Sequence, residues 1–342
     1  MSARLLVAVL RAPARAAALD ARGWTDLLGL ARAEQLLGTL AHRVEGQPMP
    51  ASVAAILADA RRAAAEGLRM ALWEAEMARR ALAGVAAPIL LKGTAFAAAA
   101  LDAAEGRSIG DLDILVPRGR LDAVEAALLA TGWEWVKPDP YDAHYYKSWM
   151  HELPPLIHRT RDRMIDVHHT ILPPTARPTP DADALIAAAV PAGEGLEGGA
   201  LAVLAPADMV VHAAAHLFAD GDLEGGLRNL WDIDRLVRQF RARDGDRFDV
   251  ELRAAAGRHE LIPAVARALR LAARLYGTPV DARLAGRRRP SDRLFVRRLL
   301  ARDGWGRARR PAVRLAFYIR SHWLRMPPAM LARHLWIKWR KR

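Results

Sequence analysis

The chain has 342 residues, of which 52% are apolar, so it can bury a sizeable core and is not a disordered chain. It has no cysteine, which excludes disulfide frameworks and thiolate metal sites and favours a reducing compartment. The net charge is +13, and no apolar run reaches the roughly 18 residues that a transmembrane helix needs.

Residues 1–84 are predicted to form an N-terminal helical segment. The apolar run from Leu5 to Leu10 is too short for the core of a signal peptide, so we interpret it as the first helix. Apolar residues then recur at three- and four-residue spacing from Leu57 to Ala75, as on one face of a helix. Gly84 is a natural stop for that helix.

Alternating strand and helix patterns over residues 85–205 predict a small core. Short apolar or alternating runs at 89–91, 107–116, 133–136 and 164–168 are typical of strands, and Ala- or Leu-rich helical patterns lie between them. This order favours an α+β fold in which a small mixed sheet is backed by helices. The division that follows is 1–84, 85–205, 206–286 for a C-terminal helical domain, and 287–342 for an extension.

Two carboxylates stand one residue apart in the predicted strand over 107–116. Alternate residues of a strand project from the same face, so we expect Asp111 and Asp113 to point together. Adjacent carboxylates repel each other unless a cation lies between them, and hard oxygen ligands suit Mg²⁺. The pair therefore predicts a divalent-metal site and indicates an enzyme that handles phosphates. In the later strand, Asp166 shares one face with His168.

Other polar pairs in the chain favour structural roles. Asp232 and Asp234 have the same spacing as the first pair but lie in a predicted helix, where residues two apart point about 200° from each other. His212 and His216 have a spacing compatible with zinc, but no third ligand follows at a recognisable interval. We expect these histidines to pack beside the site or to satisfy polar groups of the core.

Residues 137–162 show no clean period and are predicted to be a loop or an irregular strand. Within this segment, His144, Tyr145 and Tyr146 are candidates to stack on a nucleotide base.

The segment 287–342 is strongly basic. It has 18 Lys and Arg and two acidic residues, whereas the rest of the chain has a net charge of −3. It also contains four tryptophans and an apolar stripe at helical spacing: Leu315, Ile319, Trp323 and Met326. Three partners fit this pattern: an anionic membrane surface, the phosphates of a nucleic acid, or the body of the protein itself.

Three short motifs resemble those of an uncharacterised bacterial nucleotidyltransferase family, within the nucleotidyltransferase superfamily and its polymerase-beta-like fold. They are Leu91-Lys92-Gly93, the run from Arg107 to Asp113 with its two aspartates, and Asp166-Val167-His168. The resemblance extends over about residues 20–240.

The resemblance implies that a nucleoside monophosphate is transferred from a triphosphate, such as ATP, to an acceptor, with release of pyrophosphate. It implies Mg²⁺ or Mn²⁺ held by Asp111, Asp113 and Asp166, with Asp166 also orienting the attacking hydroxyl. The residues it suggests for the nucleotide are Lys92, Gly93, Thr94, Arg107 and His168. Two of them have an alternative role: Arg107 could instead pin the loop before the strand, and His168 could instead make a supporting hydrogen bond.

The acceptor stays open among a sugar phosphate or glycan precursor, a small metabolite, a tRNA end and a protein side chain. The alternative is a catalytically inactive relative that binds nucleotide or nucleic acid, or acts as a scaffold. We expect a cytoplasmic protein that is peripheral to the inner membrane if the basic extension binds there.

Overall fold

The computed structural model describes residues 3–136, 149–192, 201–219, 223–325 and 336. As predicted, the fold is α+β, with a mixed sheet between N-terminal and C-terminal helices. Among the described residues, no helix combines the length and the apolar character that crossing a bilayer requires.

The first part of the chain is helical and leads into the sheet. The long helix α4 spans 31 residues and covers the predicted stretch from Leu57 to Ala75. The helices up to the end of the sheet are α1 (Arg4–Arg11), α2 (Ala21–Ala33), α3 (Leu37–Arg43), α4 (Ala51–Ala81), α5 (Lys92–Ala98), α6 (Leu121–Ala130) and α7 (Ala182–Ala187), with 3-10 turns at Pro13–Ala18, Asp102–Ala104 and Arg118–Arg120.

The described strands form one seven-stranded sheet in the order β3-β4-β5-β2-β1-β7-β6. Strands β2 and β5 are parallel neighbours, as are β1 and β7, and the other pairs are antiparallel. The strands are β1 (Ile89–Leu90), β2 (Leu112–Leu115), β3 (Trp133–Trp135), β4 (Leu156–His158), β5 (Met164–His168), β6 (Val190–Pro191) and β7 (Ala202–Val203).

The sheet has three strands that the sequence patterns do not predict: β4, β6 and β7. Strand β4 lies in the segment 137–162, for which the sequence predicts a loop or an irregular strand without fixing its position. It has three residues, and β6 and β7 have two each, too few for a period to be recognised. These strands exist because neighbouring strands supply their hydrogen bonds.

The turn between β4 and β5 is anchored to α4 by a buried ion pair. Arg161 Nε lies 2.6 Å from a carboxylate oxygen of Glu74, which is 3% exposed. The same guanidinium lies 4.5 Å from the ring centroid of Trp133 in β3. The pair joins the N-terminal helices to the edge of the sheet.

The C-terminal helices pack against one another. They are α8 (Pro206–Ala219), α9 (Gly226–Asp244), α10 (Asp246–Arg258), α11 (Ile262–Tyr276), α12 (Ala282–Ala285), α13 (Asp292–Leu299) and α14 (Pro311–Arg325). Helix α9 also packs against the 3-10 turn Asp102–Ala104.

The basic segment from residue 287 docks only in part on the rest of the chain. Phe295 in α13 is buried, and Arg302 forms an ion pair with Glu34 at the end of α2. A methyl group at Gly29 would lie 2.8 Å from the carbonyl oxygen of Gly304, so this loop and α2 touch through their backbones. The region of α13 therefore belongs to the folded body.

Helix α14 instead presents an apolar face to solvent. Leu315 and Ile319 are each 58% exposed and Trp323 is 51% exposed, whereas Phe317 on the opposite face is buried. The predicted stripe is thus helical and does not pack on the described part of the chain. Its fourth member, Met326, lies outside the described residues.

Candidate functional site

Three carboxylates converge at one edge of the β2–β5 pair. Asp113 in β2 is in register with Asp166 in the parallel strand β5, so both side chains leave the same face of the sheet. Asp111 comes just before β2, which is shorter than predicted and begins at Leu112. Even so, one oxygen from each of the three carboxylates lies within 4.8 Å of the others.

Asp113 is the buried member of this group and is already paired. Its Oδ1 accepts from Lys92 Nζ at 2.6 Å and lies 3.0 Å from His168 Nε2, and the residue is 3% exposed. Burial alone would raise the pKa of Asp113, but the positive charge of Lys92 and the bond to His168 hold it well below its usual value. Asp113 is therefore ionised at any pH near neutrality.

Asp166 behaves in the opposite way. Burial, followed by the negative charges of Asp113 and Glu152, raises the pKa of Asp166 to about 7. The ionised carboxylate is thus unfavourable unless a positive charge joins the group. The three carboxylates supply only hard oxygen donors, the donor set that Mg²⁺ and Mn²⁺ prefer. The residues fit a divalent cation.

His168 holds Asp113 in place. It is 2% exposed, and its Nδ1 lies 3.4 Å from a carboxylate oxygen of Glu152 while its Nε2 faces Asp113. Glu152 forms a backbone bridge to the end of β5, which brings it to His168. His168 therefore bridges two carboxylates, which is the hydrogen-bonding role that the sequence allowed beside a contact with nucleotide.

His151 and Glu152 are site residues that the sequence analysis missed. Together with His168 they form a second group whose ligand atoms lie within 4.8 Å of one another. Burial, and then the positive charges of His168 and Lys92, keep the pKa of His151 well below its usual value. No local signal could have identified this pair, because it lies in a segment without a period.

Gly93 and Arg107 are neighbours in the protein interior. A methyl group at Gly93 would lie 2.1 Å from Arg107 Nη1, so the missing side chain makes room for the guanidinium. The resemblance suggests Gly93 as a nucleotide contact, and the guanidinium of Arg107 occupies the space that a side chain at Gly93 would take. Arg107 is buried and donates to Asp232 from Nη2 at 3.0 Å, which is the pinning role, one of the two that the sequence allowed.

Lys92, Gly93 and Thr94 form the first turn of α5. Lys92 has a positive φ of 48°, which suits the sharp change from β1 to α5. Thr94 is 1% exposed, and its Oγ1 has no hydrogen-bond partner among the described residues.

The structure confirms that Asp232 and Asp234 do not share a site. Both lie in α9; Asp232 binds Arg107, whereas Asp234 accepts from Thr278 Oγ1 at 2.6 Å and from Arg238 Nε at 2.9 Å. Their spacing in a helix sends the two carboxylates to different partners.

His212 and His216 pack beside the site, as expected. They line a small cavity of about 20 Å³ together with Lys92 and Arg107. Burial, and then the charges of His216 and Lys92, lower the pKa of His212 well below its usual value. Neither histidine belongs to a metal-capable group among the residues that the structure describes.

Arg228 was also missed, because more than a hundred residues separate it from the motif that it contacts. Its Nη1 donates to the carbonyl oxygen of Ser108 at 3.1 Å and to Gln35 Oε1 at 3.0 Å. Burial and the nearby Arg107 lower the pKa of Arg228 to about 10. It adds a cation beside the loop that leads to Asp111. The stacking candidates His144, Tyr145 and Tyr146 lie outside the described residues.

A family model described as an uncharacterised nucleotidyltransferase matches residues 20–277 of the chain. The match begins one residue before α2 and ends one residue after α11, so it includes every described strand of the sheet. No curated protein matches the chain.

Proposed function

Because the chain belongs to the uncharacterised nucleotidyltransferase family, we propose that it transfers a nucleoside monophosphate from a triphosphate to an acceptor. The observation that carries this proposal is the convergence of Asp111, Asp113 and Asp166, one of them with a raised pKa, beside Lys92. In this proposal, residues 85–205 are the transferase core.

Asp111, Asp113 and Asp166 would hold the divalent cation, Mg²⁺ or Mn²⁺. When bound, the cation supplies charge neutralisation for the phosphates and holds them in line for displacement. Asp111 is the exposed member of the three and Asp113 the buried one, so the site is open to solvent on the side of Asp111.

Asp166 is assigned to orient the attacking hydroxyl. The acceptor oxygen forms a bond to the α-phosphorus, the bond from that phosphorus to the bridging oxygen breaks, and pyrophosphate leaves. The acceptor proton goes to Asp166 Oδ, which is ionised once a cation neutralises the group of carboxylates.

Lys92 and Arg228 are the cations assigned to the triphosphate. Lys92 Nζ already lies at the carboxylate group, and Arg228 lies beside the loop before Asp111. The nucleotide contacts suggested for Gly93, Thr94, Arg107 and His168 stay predictions. Arg107 is bound to Asp232 and His168 lies against Asp113. In the proposal these two side chains therefore affect the nucleotide indirectly, by positioning those carboxylates.

An inactive nucleotide-binding protein or scaffold is the second candidate. The ion pair between Lys92 and Asp113 favours it, because Lys92 neutralises the carboxylate that a cation would need. In the active protein, a cation would have to displace Lys92 Nζ from Asp113 toward the phosphates. In the inactive protein, the ion pair between Lys92 and Asp113 would persist.

We also assign an anionic membrane surface as the partner of α14. Its exposed apolar face carries Leu315, Ile319 and Trp323, and the segment from residue 287 has a net charge of +16. Basic residues near anionic headgroups contribute roughly 1 kcal/mol each, and tryptophan favours the interface. The protein would then be cytoplasmic and peripheral to the inner membrane, and nucleic acid is the competing partner.

The test is to incubate the protein with Mg²⁺ or Mn²⁺ and each α-labelled triphosphate in a cell extract. We expect label in one class of acceptor (small molecule, RNA, lipid or protein) with the wild type and the exposed control Asp183→Asn, and none with Asp111→Asn. Triphosphate binding without any transfer of label would instead support the inactive protein. The acceptor stays open until label identifies it.

A further inference from the structure

A cavity of about 220 Å³ lies beside α8 and is separate from the small cavity beside Lys92. Helix α8 contributes His212 to the cavity beside Lys92 and contributes Ala215 and Phe218 to this one. The other walls come from the segment after β5, from α11 and from α14. Most of the lining is apolar and includes Leu172, Leu261, Ala264 and Leu324.

Two guanidinium groups close one side of this apolar cavity. Arg267 in α11 and Arg320 in α14 both line it, and both stack on Phe295, with their Cζ atoms 4.4 Å and 5.2 Å from its ring centroid. Two like charges are therefore held against one aromatic ring. Their mutual repulsion is offset only if negative charge reaches them.

The negative charge that the structure provides is incomplete. Arg267 Nε lies 3.4 Å from Asp292, yet it is buried without a hydrogen bond, and Asp292 already binds Arg270 Nε at 2.7 Å. Arg320 donates to the carbonyl oxygen of Phe218 at 3.2 Å and forms no ion pair within the described part of the chain. Burial, and then the charge of Arg267, lower the pKa of Arg320 to about 10.

Two other charged residues line the cavity. Arg177 is exposed and adds a third cation, while Glu260 is exposed and already accepts from the backbone N–H of Thr179 at 3.0 Å. The charged residues that line the cavity therefore have a net positive charge, and the rest of the lining is apolar.

We propose that this cavity binds an anionic amphiphile, a molecule with one alkyl chain and a carboxylate or phosphate head. The head lies on Arg267 and Arg320, where a half-buried guanidinium gains charge-assisted hydrogen bonds, and the chain fills the apolar part. A free inorganic anion would leave the apolar walls uncovered. A neutral chain would leave Arg320 without a counter-charge within the described part of the chain and Arg267 with only a share of Asp292.

The size of the cavity limits the chain that it encloses. Pockets for drug-sized ligands are usually about 300–1,000 Å³, so 220 Å³ holds a head and a short chain, or the first part of a longer one. This inference does not depend on nucleotidyl transfer, since it concerns a separate cavity and is tested by binding alone.

The test uses the full chain, isothermal titration calorimetry and four probes below their micelle concentrations. The probes are decanoate, decyl phosphate, decanol and inorganic phosphate. We expect decanoate or decyl phosphate to bind at least about tenfold more tightly than decanol or inorganic phosphate. The tighter of the two anions identifies the head, carboxylate or phosphate.

Two variants test the two halves of the site independently. Arg320→Gln removes a charge at the head, and Ala264→Leu fills part of the chain cavity, so each should weaken the better anion about tenfold. Arg314→Gln, on the same helix outside the cavity lining, is the matched control and should leave affinity within about twofold.

Either of two results would overturn the proposal. If decanol binds as tightly as decanoate and Arg320→Gln changes nothing, the arginines do not hold the head of a ligand. If the wild-type chain binds neither anion, the cavity is not a site for an anionic amphiphile. Thermal unfolding of both variants excludes loss of fold as the cause of weak binding.

Discussion

Replacing Asp166 by Asn should stabilise the metal-free protein, and the gain should grow with pH. The pKa of Asp166 is raised from its ordinary value of 3.8 to about 7, first by burial and then by the charges of Asp113 and Glu152. Since one pKa unit corresponds to roughly 1.36 kcal/mol, the ionised carboxylate costs the folded state roughly 4 kcal/mol above pH 7.

The sign of the effect follows from proton uptake on folding. Between pH 3.8 and about 7 the unfolded chain has released the proton of Asp166 while the folded protein keeps it, so rising pH favours the unfolded state. Asparagine does not titrate and escapes this loss. We expect the stability advantage of Asp166→Asn to grow by roughly 2–3 kcal/mol between about pH 5 and about pH 8.

Urea unfolding in EDTA at the two pH values measures this difference, with the exposed Asp183→Asn as the matched control. Adding Mg²⁺ should then stabilise the wild type and not Asp166→Asn, because a ligand that binds only the folded state shifts the unfolding equilibrium. If Asp166→Asn is no more stable than the wild type at the higher pH, burial and charge do not raise the pKa of Asp166, and the reasoning is refuted.

The remaining predictions concern the Arg107 ion pair and the tail. Arg107→Ala should lower the free energy of unfolding by about 3–5 kcal/mol in urea titrations, because Asp232 is left buried and unpaired; a loss below about 1 kcal/mol would contradict this. Gly93→Ala should lower Tm, and the loss should shrink in an Arg107→Ala background, since the added methyl meets the guanidinium; equal losses in both backgrounds would exclude that clash. Ile319→Asp with Trp323→Asp should weaken sedimentation with anionic vesicles about tenfold, and unchanged sedimentation would exclude this face as the contact.

The structure also changes one expectation about the carboxylates. On the sequence alone, Asp111→Asn and Asp113→Asn are equivalent ways to remove the metal site. Asp113 is buried and bound to Lys92 and His168, whereas Asp111 is exposed. Asp111→Asn is therefore the clean test of function, because Asp113→Asn also removes the negative charge that Lys92 and His168 contact.

Much of the architecture was predictable because it depends on neighbours in sequence. Alternation over Met164–His168 places Asp166 and His168 on one face whatever the rest of the chain does, and the spacing from Leu57 to Ala75 produces a helix with one apolar side. The family motifs lie on these elements, so the fold class and the acidic residues followed from the sequence.

The edge strands were not predictable, for a physical reason. A strand of two or three residues, such as β6 or β4, has too few residues to show a period, and its hydrogen bonds come from a partner that the chain supplies elsewhere. The same limit applies to Glu152 and Arg228, which reach the site only because β5 and α9 bring distant segments together.

By itself, the sequence determined which residues are acidic, which faces they leave and which segments are helical, because side-chain period and local propensity act over a few residues. Only the tertiary structure decided that Asp113 is neutralised by Lys92, that Asp166 has a raised pKa, and that Arg107 is paired with Asp232. Charge interactions and burial depend on distances between residues far apart in the chain, and packing alone sets those distances.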